Sequence, residues 1–63
     1  MNICIKLFSS EEIVYNGVVN VIPRIGEYIK INRQFYKVWH IVYNIKNTID
    51  NVIIFVEEIK NNN

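Results

Sequence analysis

Residues 27–45 read EYIKINRQFYKVWHIVYNI, and this stretch decides the fold. Apolar and polar side chains alternate on both sides of a polar tip, which is the period-two pattern of half-buried β-strands. We predict a strand over Glu27–Ile31, a tip at Asn32–Gln34 and the longest strand of the protein over Phe35–Ile45. Two strands joined by a short polar tip form a β-hairpin. The centre of the fold is therefore predicted to be a hairpin.

Two further strands are predicted near the ends of the sequence. Over Asn2–Phe8 the apolar residues fall on one face and the polar residues on the other, and Val52–Glu58 follows a polar loop at residues 46–51. Residues 61–63 are three asparagines that we expect to form a disordered tail. Residues 1–60 are predicted to form a single β-barrel domain, because a chain of this length leaves no room for a second domain.

The segment between the first strand and the hairpin allows two interpretations. We prefer a strand at Ile13–Tyr15, a turn at residues 16–17 and a strand at Val18–Ile22, because Asn-Gly is the strongest short hairpin signal. The alternative is one short helical turn near residues 9–16, where a serine and a glutamate have capping-box spacing. In both cases we expect an all-β fold, a small antiparallel barrel or curled sheet of five or six strands.

The composition agrees with a β fold and gives no sign of a secreted or membrane protein. The chain has 63 residues, of which 51% are hydrophobic, and it contains no alanine, the best helix former. Seven basic and six acidic side chains give a net charge of +1. The electrostatic field of so small a charge does not by itself predict binding to nucleic acid or to a membrane. The sequence has no basic start followed by a long apolar stretch and no apolar run of about 18 residues. We therefore expect a cytoplasmic protein.

No catalytic residue, metal ligand or cofactor motif is predicted. Cys4 is the only cysteine and His40 the only histidine, so the ligands of a zinc site are missing. Neither serine lies in a nucleophile motif, and the two glycines are isolated, which excludes a phosphate-binding loop. We expect that the chain is not an enzyme and binds no cofactor.

Over residues 21–56, the stretches VIPRIGEYIKI, YKVWHIVYNI and VIIFV resemble small Src-homology-like β-barrel proteins of phages and mobile elements. In those proteins a Pro-x-Ile-Gly-Glu turn opens a strand that forms a hairpin with a Tyr-x-Val strand. The resemblance implies a small barrel and a phage-like origin, and for a phage-encoded protein it implies the cytoplasm of the host cell. It carries over no catalytic residue, because such proteins share a scaffold and not a function.

Apolar residues on both faces of a strand predict self-association. Val52–Val56 is apolar on both faces, and residues 18–22 and 41–43 nearly repeat this pattern. One small barrel has a single interior, so such strands need cover on their second face, unless a tight curl and the loops hide it. We predict a homo-oligomer, with a homodimer as the first expectation. The predicted interface residues are Ile53, Phe55, Val19 and Val21.

The central hairpin predicts a second surface. A four-residue turn keeps the isoleucines of its first strand opposite apolar partners, and it places Lys30 opposite Lys37 on the other face. The same register places Tyr28 opposite Trp39, which is a favourable aromatic pair. Together with Arg33 at the tip, these residues are predicted to form a basic and aromatic face.

This basic and aromatic face allows three interpretations. Rings and cations together suit single-stranded nucleic acid or a nucleotide, since rings stack on bases and lysines neutralise phosphates. Tryptophan and arginine are also enriched in protein–protein hot spots. The third interpretation is a solvated strand face on which lysines protect a sheet edge. The leading hypothesis is a small phage-like binding module that self-associates and binds or blocks a host protein; nucleic-acid or nucleotide binding, and a structural subunit of a larger assembly, are the alternatives.

Overall fold

The part of the chain that the structure describes folds into five strands. The computed structural model describes residues 1–60, and for Asp50 it describes the backbone alone. The predicted tail at residues 61–63 lies outside the described residues. No helix occurs within the described part of the chain, so the all-β class is confirmed; residues 8–10 form a single turn, and the alternative of a helical turn does not extend to residue 16, because β2 begins at Ile13. The strands are β1 (Asn2–Leu7), β2 (Ile13–Val18), β3 (Tyr28–Ile31), β4 (Gln34–Ile45) and β5 (Ile49–Ile59).

All five strands belong to one mixed sheet, in the order β2-β1-β5-β4-β3, which curls until it is nearly closed into a barrel. Three neighbouring pairs are antiparallel, as predicted, but β1 and β5 run parallel. Parallel neighbours cannot be joined by a tight turn, and here the whole of β2, β3 and β4 lies between them in the chain. The five-stranded curled sheet is confirmed, and the expectation of purely antiparallel pairing is wrong.

The core lies on the concave face of the sheet. In the parallel register Ile5 of β1 lies beside Ile54 of the central strand β5, so alternate residues of both strands point to the same side. The even-numbered apolar residues of β5 are completely covered because the sheet curls around them. The buried residues are Ile3, Ile5, Tyr36, Val38, Val52, Ile54 and Val56.

The predicted turn at residues 16–17 lies inside β2, so the predicted hairpin there is wrong. The chain reverses earlier, at residues 8–12, where Glu11 has a φ of 61°. A Cβ atom on Gly17 would lie 2.7 Å from the hydroxyl oxygen of Tyr15. The glycine leaves room for the tyrosine ring, which lies on the same face of the strand two residues away and which a larger residue would displace.

The β3–β4 hairpin has a two-residue turn instead of the predicted four-residue turn. Asn32 and Arg33 occupy it with φ values of 49° and 70°, the left-handed pair that a type I′ turn requires. Ile31 therefore pairs with Gln34. Every partner is shifted by two residues, and each side chain stays on its predicted face because an even shift preserves the alternation.

This shift changes the predicted cross-strand pairs. Lys30 lies opposite Phe35, and Tyr28 lies opposite Lys37. Trp39 lies at an irregularity of β4, where the register with β5 shifts. The predicted pairs Lys30–Lys37 and Tyr28–Trp39 are therefore wrong, although the lysines do share one face.

Strands β4 and β5 extend past the rest of the sheet as a two-stranded arm, residues 43–51. β1 pairs with β5 only from Val52 onward, so within the described residues the arm has no third strand beside it. The loop of the arm covers residues 46–48, which is shorter than the predicted loop at 46–51 because β5 begins at Ile49. The molecule is accordingly elongated, with extents of 47 × 23 × 18 Å.

Candidate binding cleft

An open cleft lies on the concave side, where the two outer strands β2 and β3 approach each other. Its volume is about 930 Å³. Ligand sites in proteins have volumes of about 300–1,000 Å³ and mainly apolar walls, so this cleft has the size and character of a binding site. Its apolar lining residues are Ile3, Ile5, Val19, Val21, Ile29 and Ile31.

Few polar groups line the cleft. The carboxylate of Glu27 accepts a hydrogen bond from the backbone N–H of Arg24 at 2.6 Å, so it is engaged within its own loop. Tyr15 lies on the β2 side, and Tyr28, Lys30 and Asn32 line the β3 side. Because most of the lining residues are apolar, the cleft favours an apolar occupant.

Strand edges flank the cleft. In the sheet β2 pairs only with β1, and β3 pairs only with β4, so in the described part of the chain the outer N–H and C=O groups of both strands have no strand partner. Such edges accept an added strand, whose main chain pairs with the edge while alternate side chains enter pockets. The arrangement therefore suits an extended peptide better than a compact small molecule.

The connection from β2 to β3 is anchored at both ends. The Val19 N–H donates to the Met1 carbonyl at 2.9 Å, and the Met1 amino group donates to the Val19 carbonyl at 3.0 Å. At the other end the Gly26 N–H donates to the Val38 carbonyl, and the Val38 N–H donates to the Glu27 carbonyl, both at 2.9 Å. These bonds fix the two ends of the connection to β1 and β4. The cleft is therefore largely preformed.

The β3–β4 hairpin carries four of the five predicted residues of the basic and aromatic face, together with Phe35. Tyr28 is 63% exposed, and the Nζ atom of Lys30 lies 5.3 Å from the ring centroid of Phe35. Lys37 lies beside Tyr28 on the same face, and Arg33 occupies the exposed turn. Phe35 was not among the predicted site residues, although its odd position in β4 places it on the face of Lys37.

Glu57 weakens the basic character of this face. It lies opposite Lys37 in the β4–β5 register, and its Oε1 atom accepts a hydrogen bond from Nε1 of Trp39 at 2.9 Å. A carboxylate next to a lysine lowers the positive potential that would attract a phosphate. Trp39 is therefore bound to Glu57 and does not pair with Tyr28.

Trp39 belongs instead to an aromatic cluster on the convex face. Its ring stacks on Phe8, with centroids 5.8 Å apart and an interplanar angle of 17°, and His40 lies 5.4 Å from the same phenylalanine. Phe8 and His40 of this cluster line a shallow depression together with Glu11, Val42 and Phe55. The alternation of β1 was the available signal, since an even position puts Phe8 on the face opposite the buried isoleucines.

The four predicted interface residues lie on two different surfaces. Ile53 and Phe55 are half-buried on the convex face, between residues of β1 and β4. Val19 and Val21 border the cleft, and Val21 is 77% exposed. The structure therefore does not bring the four together into a single patch.

Among the described side chains of residues 1–60, which do not include that of Asp50, no group of three His, Cys, Asp or Glu is arranged to hold a metal ion. The same residues include no helix of the length and hydropathy needed to cross a membrane. Comparison of the chain with protein-family models, with curated proteins and with solved structures finds no match.

Proposed function

We propose that this chain is a non-enzymatic protein-binding module that takes up an extended apolar segment of a protein in the cleft between β2 and β3. One observation carries the proposal: an apolar cleft of about 930 Å³ is flanked by two unpaired strand edges. An added strand gains main-chain hydrogen bonds from an edge and side-chain specificity from the pockets beside it. The biological form that we propose is a phage-like protein that binds or blocks a host protein in the host cytoplasm.

The direction of the added strand follows from the topology. β2 and β3 run in opposite directions, so a strand that is antiparallel to one is parallel to the other. Antiparallel pairing is slightly more stable per residue, and β2 offers six residues against four in β3. We therefore expect the bound segment to run antiparallel to β2, with alternate apolar side chains in the cleft.

A library of random peptides displayed on phage, selected on the immobilised protein, tests this function. The selected peptides should alternate apolar and polar residues. Their affinity should fall roughly tenfold or more in Val21→Lys, which places a charge at the cleft, since tenfold corresponds to about 1.4 kcal/mol. Val42→Lys is the matched control, because both are exposed valines and Val42 lies on the convex face. Selection of no peptide, or of peptides that bind Val21→Lys as well as wild type, would contradict the proposal.

A second candidate function is the binding of single-stranded nucleic acid or a nucleotide by the basic and aromatic face. The exposed ring of Tyr28 and the ammonium group of Lys30 above Phe35 favour it, because rings stack on bases and lysines neutralise phosphates. If this function holds, the fluorescence anisotropy of labelled oligonucleotides should rise when the protein is added, less so as salt is added, and Lys30→Gln should weaken the effect. No rise for any oligonucleotide of the panel at low salt would eliminate this candidate.

A further inference from the structure

The arm exposes an apolar face. Tyr43, Ile45 and Ile49 are 48%, 61% and 46% exposed. Tyr43 pairs with Val52, and Ile45 pairs with Ile49, so this face continues the concave side of the sheet beyond the point where β1 ends. An isolated two-stranded ribbon is marginally stable in water. The arm therefore gains from apolar cover that its own copy only partly supplies.

The cleft has the complementary shape. The cleft is concave and mainly apolar, whereas the arm is narrow and projecting and has one apolar face. The edges of the cleft lack strand partners, and so do the outer edges of the arm at residues 43–51, within the described residues. The arm can therefore place apolar side chains in the cleft, and the unpaired main-chain groups of the two surfaces can form hydrogen bonds with each other.

The arm cannot fill the cleft of its own copy. It continues the inner strands β4 and β5, whereas the cleft lies between the outer strands β2 and β3. To fold back, the ribbon would have to break the β4–β5 ladder, whose pairs run from Phe35–Ile59 to Ile45–Ile49. A second copy meets no such constraint.

We infer that the arm of one copy occupies the cleft of another, and that a two-fold pair forms by reciprocal exchange of arms. The inference rests on the proposed function, because it names a second copy of this chain as a protein that the cleft accepts. A stable interface takes about 800 Å² from each partner, roughly a sixth of the 4946 Å² of surface here. In a two-fold pair each copy contributes both an arm and a cleft, so two arm–cleft contacts, instead of one, count toward this area.

Sedimentation equilibrium on surface variants tests the exchange. Ile45→Lys alters the tip of the arm and Val21→Lys alters the cleft, both at exposed positions where lysine leaves the core intact. The wild type should be a dimer, and each variant alone should be a monomer. Ile25→Lys is the matched control: Ile25 is 65% exposed, lies outside both surfaces and should leave the dimer unchanged.

A mixture of the two variants is the decisive sample. The arm of Val21→Lys and the cleft of Ile45→Lys are both intact, so the mixture should form a heterodimer that is weaker than the wild-type dimer. A monomeric wild type, dimers in either single variant, or a mixture without heterodimer would overturn the inference. Dimers lost in Val42→Lys instead would assign self-association to the convex face.

The peptides selected on the cleft separate this inference from the proposed function. Monomeric Ile45→Lys keeps its cleft, so it should bind the peptides more tightly than the wild type, whose own arms compete for the site. If the wild type is monomeric and still binds the peptides, only the exchange of arms is wrong. If no peptide binds to either protein, the proposed function is wrong as well.

Discussion

Replacement of Arg33 by glycine is expected to stabilise the protein. Arg33 lies in the two-residue turn with a φ of 70°, after Asn32 with a φ of 49°. The left-handed conformation costs an L-residue about 1–2 kcal/mol, a cost that glycine avoids. Glycine also enlarges the conformational freedom of the unfolded chain, which offsets about 0.4–1 kcal/mol of that gain. The net expectation is a gain of about 0.5–1 kcal/mol in the free energy of unfolding.

Urea denaturation followed by Trp39 fluorescence measures this effect. With a slope near 1 kcal/mol per molar urea, suitable for so small a domain, the midpoint should rise by about 0.5–1 M. Arg33→Ala is the control, because it shortens the side chain but keeps the Cβ atom, and it should bring no such gain. If the glycine variant is no more stable than the alanine variant, the left-handed turn and the register that follows from it are wrong.

Three further substitutions test other parts of the structure. Ile54→Ala removes a fully buried side chain of the central strand and should cost about 2–5 kcal/mol, enough to unfold much of the protein by circular dichroism. Gly26→Ala forces a side chain into a φ of 92° and should lower the thermal midpoint by several degrees, about 1 kcal/mol, although space for the methyl group is available. Glu57→Ala removes the acceptor of the Trp39 indole N–H and should cost about 0.5–1.5 kcal/mol with a change in indole fluorescence, whereas Glu57→Gln should retain most of the bond.

Most strands could be predicted from the sequence because their signal is local. Alternation located β1, β3 and β4 to within one residue at each end, and the apolar run of β5 was found although its start was placed three residues late. β2 was missed in part because Asn-Gly has two uses. It often makes a turn, but Gly17 here makes room for the ring of Tyr15. Only the position of that ring, two residues away on the same face, distinguishes the two uses.

The pairing of β1 with β5 could not be predicted from local patterns. Both strands are apolar and alternate, and nothing in either one specifies a parallel neighbour from the opposite end of the chain. The prediction of a four-residue turn in the central hairpin was wrong for a different reason. Arginine seldom adopts a positive φ, so Asn32-Arg33 does not read as a type I′ turn, and the four-residue turn satisfied the same apolar alternation.

The candidate cleft depends on the curl of the sheet, which is a property of all five strands together. The sequence located some residues that border it, Val19, Val21 and Tyr28, but assigned them to other surfaces. It placed Trp39 beside Tyr28, whereas Phe8 and Glu57 hold the indole, each through a contact between distant parts of the chain. Alternation predicts the face of a side chain, and strand order decides its neighbours.

The central claim is that the cleft receives an extended apolar segment, supplied in the free protein by the arm of a second copy. The most direct measurement is isotope-filtered nuclear Overhauser spectroscopy on a mixture of labelled and unlabelled protein, which detects contacts between copies only. We predict contacts from the methyl groups of Ile45 and Ile49 to those of Val21 and Ile31. Contacts between copies confined to Ile53, Phe55 and their convex neighbours, or no contacts between copies at all, would contradict the claim.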